Sequence, residues 1–190
     1  MKPAALPDRA ERYLDRVTKL AGGREPRIHP VESTQPGQKR VFAFCLQDTP
    51  EPGLITGFTY GLSLARHPLW RFGRPELAIT VESADIGWPI AVAIAAERLR
   101  GECPFEFGNT INVGATITEN TQMTGFAIFA PVFPDEKDNC TIDVGDDLPV
   151  ILTGCYPIHR SEMDFITEHG LEEFWHLVWD PFDTRRPAAV

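Results

Sequence analysis

Ser63 is the first side chain that could do chemistry, because the segment Gly61-Leu62-Ser63-Leu64-Ala65 has most of the G-x-S-x-G pattern of a nucleophile elbow. In that motif a strand turns sharply into a helix, and the turn exposes the serine hydroxyl. Here Ala65 replaces the second glycine, and the His67-Pro68 dipeptide disfavours a helix directly after the serine. The pattern disfavours a serine hydrolase, and we expect no catalytic residue.

Residues near the C terminus include four of the types that bind metal ions: His169, Glu172, Glu173 and His176. Glu172 and His176 are four residues apart, so a helix would place them on one face. The H-E-x-x-H order of zinc proteases is absent, and the spacing identifies no third ligand. We therefore expect a solvated helix face, with no metal ion and no cofactor.

An acidic segment extends from Pro134 to Leu148. It lacks the ligand spacing and the glycine placement of an EF-hand loop, which disfavours a calcium site. We expect a solvated loop whose negative charge could steer a basic protein partner into contact. The acids that would do this are Asp135, Glu136, Asp138, Asp143, Asp146 and Asp147.

The overall charge is acidic, with 18 Lys and Arg against 27 Asp and Glu and a formal net charge of −9. Such a surface repels a phosphate backbone, so we expect no nucleic-acid partner. No apolar run is long enough to span a bilayer, and Met1–Gly23 carries charges where a signal peptide would be apolar. The sequence thus predicts a cytoplasmic protein with no membrane segment and, lacking any C-x-x-C pair, with free thiols.

Four helices are predicted to position these residues. The first is the amphipathic segment Asp8–Leu20, followed by a connector rich in Pro and Gly over Arg24–Lys39. Ile90–Arg100, opened by Trp88-Pro89, is apolar on every side and is expected to be buried on both faces. The last two are a helix capped by Ser161 and ended by Gly170, and a helix reaching Pro181 with a stripe of Leu171, Phe174, Trp175 and Val178.

Alternating or apolar runs predict about six strands, at Val41–Leu46, Leu54–Leu64, Glu76–Glu82, Asn109–Thr118, Gly125–Val132 and Val150–Ile158. In the third run Glu76, Ala78, Thr80 and Glu82 alternate with apolar residues and are expected to face solvent. The fold class is predicted to be α+β, with a mixed, mostly antiparallel sheet packed with helices. We expect residues 1–38 to form an N-terminal helical arm and connector, and residues 39–190 to form one globular domain.

Several segments, taken in order, resemble the Suppressor of fused domain family over roughly residues 40 to 187. They are Phe58–Ser63, Pro75–Thr80, Gly87-Trp88-Pro89, Phe107-Gly108-Asn109, Val150–Met163, His169–Glu172 and Asp183–Arg186. The motif positions are Tyr60, Gly61, Leu62, Ser63, Trp88, Pro89, Gly170, Asp183, Arg185 and Arg186. We interpret them as architectural, with Gly61 as a strand kink, Trp88 as a core anchor, and Asp183 in an ion pair with Arg185 or Arg186.

The resemblance implies a fold without known catalysis that works by binding another protein. In animals such proteins sequester a transcription factor, and in bacteria they often act as immunity proteins against toxins. The chain resembles only the N-terminal portion of the animal protein, so we favour a bacterial-type immunity protein that neutralises a partner toxin, for which a basic domain is one candidate. Partner binding could use the acidic loop or an exposed sheet edge. The alternatives are a regulatory or structural interaction protein without a toxin partner, and a hydrolase or metal-dependent enzyme.

Overall fold

A mixed eight-stranded β-sheet forms the centre of the computed structural model, which describes residues 8–34, 37–133 and 140–190. The strands are β1 (Arg27–Pro30), β2 (Phe42–Gln47), β3 (Leu54–Tyr60), β4 (Arg74–Glu82), β5 (Thr110–Asn112), β6 (Gly125–Phe129), β7 (Thr141–Ile142) and β8 (Val150–Ile158). The helices are α1 (Asp8–Leu20), α2 (Gly87–Leu99), α3 (Arg160–His169) and α4 (Leu171–Trp175), with a short 3₁₀ turn at Leu62–Leu64. The strand order is β1-β2-β3-β4-β8-β6-β5, with β7 beside β8. Among the strand pairs formed by the described residues, β4 and β8 alone are parallel.

Helices cover both faces of the sheet. α2 packs on the face that carries Ile79 of β4. α1 packs on the other face, where Tyr13 shares a buried cluster with Leu152 of β8. α3 and α4 cover a further part of that second face, where Phe174 shares a cluster with Tyr156 of β8. Leu152 and Tyr156 lie on the same face because alternate residues of a strand point the same way.

α1 docks on the sheet through a narrow apolar stripe. Tyr13 and Val17, four residues apart and therefore on one side of the helix, are fully buried. The Tyr13 hydroxyl donates to the backbone oxygen of Thr59 in β3 at 2.7 Å. On the exposed side Lys19 Nζ lies 2.6 Å from Asp15 Oδ2, a pair that adds little stability in water. The buried stripe is therefore what fixes α1 to the sheet.

The predicted α+β class and mostly antiparallel mixed sheet are confirmed, with eight strands where about six were expected. The additional strands are β1, inside the predicted connector, and β7, inside the predicted acidic loop. With 4 and 2 residues, they are too short to show a period. Each forms because a longer neighbour, β2 or β8, supplies backbone hydrogen-bond partners.

The prediction of a half-exposed strand at Glu76–Glu82 is wrong. Glu76, Ala78 and Thr80 are only 0%, 2% and 6% exposed, and Glu82 alone reaches solvent. β4 is a central strand with α1 on one face and α2 on the other, so side chains pointing either way are covered. The alternation of polar and apolar residues in β4 therefore reflects a buried carboxylate and not a solvent-facing side.

The predicted strand Asn109–Thr118 is also longer than the structure has it. β5 ends at Asn112, whose side-chain oxygen accepts a hydrogen bond from the Gly114 backbone at 2.8 Å. This local bond turns the chain away from the sheet. The alternating residues after it belong to an irregular segment.

α4 ends at Trp175 instead of continuing to Pro181. The chain then turns back, so that the Trp179 ring packs against the rings of Phe174 and Trp175, with centroids 4.9 and 5.2 Å apart. Val178, which the helical stripe placed against the sheet, is fully exposed as a result. Aromatic packing therefore overrides the helical period here.

Two further helix predictions need correction. α3 is capped by His159 and not by Ser161, because Glu162 Oε2 accepts a hydrogen bond from the His159 backbone at 2.8 Å. α2 is buried only on its sheet side, since Ile90 and Ile94 remain partly exposed.

The predicted free thiols differ in burial. Cys45 and Cys155 are buried, whereas Cys103 and Cys140 are half-buried.

A candidate binding cleft at the end of strand β4

Ser63 lies inside the protein, in a hydrogen-bond network around Glu76. The Ser63 hydroxyl donates to Glu76 Oε1 at 2.6 Å, and the backbone N–H groups of Gly61 and Ser63 donate to the same oxygen at 2.8 and 3.0 Å. Thr59 Oγ1 donates to Glu76 Oε2 at 2.6 Å. Ser63 and Glu76 are both 0% exposed. This arrangement gives a substrate no access to the Ser63 hydroxyl.

Part of the predicted acidic loop is connected to this network by arginines. Arg9 donates to Ser63 Oγ through Nη2 and to Asp146 Oδ2 through Nε, both at 2.8 Å. Arg74 donates to Asp146 and to Asp147, at 3.3 and 2.6 Å. Asp146 and Asp147 are therefore already paired within the fold, which leaves them less available to a partner.

The remaining acids of that loop have different positions. Asp143 Oδ1 accepts a hydrogen bond from the Gly145 backbone at 2.8 Å, which closes a tight turn. Asp135, Glu136 and Asp138 lie outside the described residues. The expected docking role of this loop stays a prediction.

The predicted metal-ligand types are all exposed: His169, Glu172, Glu173 and His176. The His169 ring packs on Phe165, with centroids 4.5 Å apart. Within residues 8–34, 37–133 and 140–190, no three His, Cys, Asp or Glu side chains are grouped so that they could hold a metal ion. The described residues thus offer no resident metal site.

A cleft of about 620 Å³ opens where β4 ends. One wall is the turn after β4, with Glu82 and Asp85, and its inner end is formed by Trp88 at the start of α2. The opposite wall combines Thr118 and Asn120 with Thr184 and Arg185 of the C-terminal segment. Gly53 also lines the cleft, so four distant parts of the sequence meet here.

Three hydrogen bonds hold the C-terminal wall in place. The Glu82 backbone N–H donates to Phe182 O at 2.9 Å, and Thr184 Oγ1 donates to Glu82 O at 3.3 Å. Thr121 Oγ1 donates to Thr184 O at 2.7 Å. The C-terminal segment thus runs beside the end of β4 almost as a further strand, with a β-bridge between Glu82 and Asp183.

The charged side chains at the cleft are exposed at its mouth. Glu82 and Asp85 supply carboxylates, and Arg185 supplies a guanidinium. Asp85 Oδ1 also accepts a hydrogen bond from the Gly87 backbone at 2.7 Å, which orients the carboxylate at the first turn of α2. A second cleft of about 420 Å³ shares Glu82 and adds Glu51. Along the two clefts the carboxylates outnumber the single guanidinium. Such a surface suits a partner segment with basic side chains.

Three of the family-motif positions, Trp88, Pro89 and Gly61, lie in close packing within the fold. Trp88 is 1% exposed. Pro89 lies so close to Gly57 of β3 that a Cβ there would come within 2.5 Å of Pro89 Cβ. Gly61 has a φ of 124°, and a Cβ at this position would lie 2.6 Å from Arg40 O. Only glycine fits either close approach.

Three other motif positions, Tyr60, Leu62 and Gly170, join helices and turns to the sheet. The Tyr60 ring packs against Tyr13 of α1 at 5.1 Å, and Leu62 is fully buried. Gly170, with a φ of 89°, is both the C-cap of α3 and the N-cap of α4. These positions connect α1, the 3₁₀ turn and the last helices to the sheet.

The expected ion pair between Asp183 and a neighbouring arginine is wrong. Arg186 pairs instead with the buried Glu162 of α3, through Nη1 at 2.5 Å and Nη2 at 2.9 Å. Asp183 Oδ1 accepts from the Arg185 backbone at 2.8 Å. Burial raises the pKa of Glu162, but hydrogen bonds from Arg186, Ala189 and His159 outweigh it and lower the pKa below its usual value.

Glu76 and Glu162, two buried carboxylates that accept several hydrogen bonds, did not stand out in the sequence. Each lies where the local pattern predicts solvent, on an alternating strand and on an amphipathic helix. The available signals were the sharp turn at Gly61, which aims two backbone N–H groups at one point, and the presence of Arg186 near the C terminus. Neither identifies its partner without the fold.

The helices of the described residues include none that is both long and apolar enough to cross a lipid bilayer. Among curated proteins, no sequence matches this chain significantly.

Three solved structures of similar fold share low sequence identity with this chain. A SUFU homolog from Neisseria gonorrhoeae FA 1090 has a TM-score of 0.73 and 19% identity, covering 96% of this chain and 97% of that one. A chain of the Sufu-Fu complex has a TM-score of 0.69 and 9% identity, covering 94% and 91%. Drosophila Suppressor of Fused has a TM-score of 0.68 and 10% identity, and the match covers 96% of this chain but only 51% of that protein. These similarities establish the fold.

The family model described as Suppressor of fused protein (SUFU) matches residues 37–187, which is most of the chain. The matched range agrees with the span over which the sequence motifs occur in order. The chain therefore belongs to the Suppressor of fused protein family.

Proposed function

We propose that this chain is a non-enzymatic protein-binding module that holds a basic partner protein at the cleft beside β4. The observation that carries the proposal is the contrast between the buried and the exposed polar side chains of the protein. Ser63 and Glu76 are bonded to each other inside the fold, whereas Glu82 and Asp85 are exposed beside a concave surface. The candidate nucleophile is enclosed, whereas the groups that could bind a basic segment are open.

Family membership supports the general part of this proposal, since one similar structure is described as a complex, the Sufu-Fu complex. The finer proposal is that the partner is a toxin, which the protein neutralises in the cytoplasm as an immunity protein. The net charge of −9 supports a basic partner, because opposite charge accelerates encounter and favours correct orientation. A regulatory or structural role without a toxin partner would use the same cleft.

The cleft is a better binding site than the acidic loop that the sequence indicated. Asp146 and Asp147 of that loop already pair with Arg9 and Arg74. A partner would have to break these pairs before using the carboxylates. No ion pair among the described residues involves Glu82 or Asp85. A partner can therefore donate hydrogen bonds to these carboxylates without breaking such a pair.

Affinity capture of the tagged protein from its native lysate tests the general proposal. We expect a stoichiometric protein partner, identified by mass spectrometry, whose capture becomes weaker as the salt concentration is raised. If no partner co-purifies at any salt concentration, the protein-binding proposal fails. Co-expression then tests the finer proposal, because a toxin partner should arrest growth when expressed alone and not when expressed with this protein.

The cleft itself is tested with the double variant Glu82→Gln/Asp85→Asn, which removes both charges and keeps an oxygen acceptor at residue 85. We expect partner affinity to fall by about tenfold or more, in line with the loss of charged hydrogen bonds worth about 1.5–3 kcal/mol each. The matched control is Glu25→Gln/Glu102→Gln, which removes two exposed charges elsewhere. Equal affinities for the two double variants would exclude the cleft.

The enzyme alternative makes a different prediction. A hydrolase or metal-dependent enzyme should lose all turnover in Ser63→Ala or His176→Ala while remaining folded. A module that binds through the cleft should bind its partner as before in His176→Ala, since that side chain is exposed and does not line the cleft. Any turnover that either substitution abolishes would overturn the non-enzymatic proposal.

A further inference from the structure

A row of aromatic rings crosses the surface where β5, β6 and α4 meet. Phe107 contacts Phe129 with ring centroids 5.2 Å apart, and Phe129 contacts Trp175 at 4.6 Å. Trp175 in turn contacts Trp179 at 5.2 Å in a T-shaped arrangement. We call Phe107, Phe129, Trp175, Val178 and Trp179 the aromatic surface.

The aromatic surface is open to solvent at both ends. Phe107 is 59% exposed and Val178 is fully exposed, and the rings of Phe129, Trp175 and Trp179 are partly exposed. Contiguous exposed apolar area is uncommon on a protein surface and marks interaction sites when it occurs. Tryptophan and other large aromatic residues also contribute disproportionately to binding energy in protein interfaces.

Exposed carboxylates lie next to these rings in the chain. Glu106 precedes Phe107, Asp180 follows Trp179, and Glu172 and Glu173 lie on the same short helix as Trp175. Between Leu171 and Asp180 the basic residue is His176, which is also exposed. Trp179 already receives one guanidinium, since Arg186 Cζ lies 4.8 Å from its ring centroid. Rings and acids together form a surface suited to planar cations.

We propose that the aromatic surface binds arginine side chains on the partner protein. A guanidinium can stack on an aromatic ring while its N–H groups donate to a carboxylate, which a lysine ammonium does less well. The proposal rests on the proposed protein-binding function but assigns a second contact, separate from the cleft.

A second copy of this chain is a poorer occupant of the aromatic surface. In a symmetric dimer the same patch lies on both subunits, so the four acids of one copy would face the four acids of the other. The net charge of −9 adds to this repulsion and also disfavours an anionic lipid surface. A basic, arginine-bearing protein is the occupant that both the rings and the charges favour.

Tryptophan fluorescence tests the proposal directly, because Trp175 and Trp179 are two of the four tryptophans in the chain. The probe is a flexible peptide of alternating Gly and Arg, compared with the same peptide carrying Lys. We expect a saturable change in fluorescence with about fivefold tighter binding of the Arg peptide, because a guanidinium can stack on a ring and donate to a carboxylate at the same time. Equal binding of the two peptides, or none, overturns the proposal.

Variants distinguish binding at the aromatic surface from nonspecific attraction of the peptide to an acidic protein. Phe107→Ala and Glu172→Gln/Glu173→Gln should each weaken Arg-peptide binding about three- to fivefold. Phe72→Ala, at a side chain 87% exposed outside the aromatic surface, and Glu102→Gln should leave it unchanged. Equal effects of the two sets contradict the proposal. Circular dichroism establishes that each variant is folded.

The partner obtained by affinity capture distinguishes this inference from the proposed function. If the partner binds Phe107→Ala as tightly as the wild type, the aromatic surface is excluded and the protein-binding function stands. If no partner is captured, the proposed function fails whatever the peptide does. If sedimentation shows a dimer that Phe107→Ala dissociates, the surface binds a second copy and the arginine assignment is wrong.

Discussion

Two buried carboxylates, Glu76 and Glu162, anchor different parts of the fold through different donors. Glu76 is held by hydroxyl and backbone groups of β3 and the following turn. Glu162 is held mainly by Arg186 of the C-terminal segment. A buried charge is tolerated only when its hydrogen bonds are satisfied, so each carboxylate makes the position of its donors critical.

Replacing Ser63 by Ala tests the network around Glu76. The substitution removes the hydroxyl that donates to Glu76 and accepts from Arg9. We expect the free energy of unfolding, measured with denaturant, to fall by about 1–3 kcal/mol, because buried polar partners lose their hydrogen bonds. Ser161→Ala, at an exposed hydroxyl, should change it by less than about 0.5 kcal/mol. Wild-type stability in Ser63→Ala would show that this hydroxyl contributes little.

Replacing Glu162 by Gln tests the pair with Arg186 and its dependence on pH. At neutral pH we expect a loss of about 3–5 kcal/mol in the free energy of unfolding, because Arg186 keeps its charge in a buried place without its partner. The folded-state pKa of Glu162 is lowered, so its ionisation stabilises the fold above the unfolded-state pKa, and this contribution disappears as pH falls through the folded-state pKa.

The stability difference between wild type and Glu162→Gln should therefore shrink as pH falls below about 4.3, the usual pKa of Glu. Denaturant unfolding at intervals from pH 7 to pH 3 measures this difference. Glu168→Gln, at an exposed position of the same helix, is the control. A difference that stays constant with pH would show that the lost stability comes from packing and not from the charge.

At the scale of elements, α1, α2, α3 and the long strands could be predicted because each covers several periods of its own pattern. α1 has the bounds that its apolar spacing indicates, Asp8–Leu20. β1 and β7 could not be predicted, since their pairing depends on neighbours distant in sequence. β4 was assigned the wrong environment because a buried carboxylate and a solvent-facing one give the same alternation.

The cleft illustrates why the site was harder to predict than the fold. Trp88 and Arg185 are recognisable from family motifs, yet they are almost a hundred residues apart in the chain. Their proximity depends on the C-terminal segment running beside β4. Glu82 and Asp85 carry no motif, so only the fold reveals that they share a wall with Trp88.

The docking of α1 gives a prediction at this scale. Tyr13→Ala should lower the free energy of unfolding by about 3–5 kcal/mol, because it leaves a cavity at a fully buried aromatic position. Tyr13→Phe keeps the ring and loses only the bond to Thr59 O, at a cost of about 1 kcal/mol. Hydrogen exchange should show faster exchange of α1 amides in Tyr13→Ala than in Tyr13→Phe. Equal exchange in both would mean that the ring does not hold the helix.

For the whole molecule, charge and shape act at different distances. The net charge of −9 influences a partner before contact, within roughly the 10 Å over which charges remain unscreened at 0.1 M salt. The cleft and the aromatic surface act only after contact, through individual carboxylates and rings. Long-range attraction should therefore govern the association rate, and the local contacts should govern the dissociation rate.

This separation predicts how partner binding depends on salt. Raising the ionic strength from 0.02 to 0.5 M should lower the association rate constant by about tenfold or more, as in electrostatically steered pairs. The dissociation rate constant should change much less, because a contact that excludes water is poorly screened. Surface plasmon resonance with the captured partner measures both rates, and Glu82→Gln/Asp85→Asn should mainly raise the dissociation rate. An association rate that does not depend on salt would show that the acidic surface does not steer the partner.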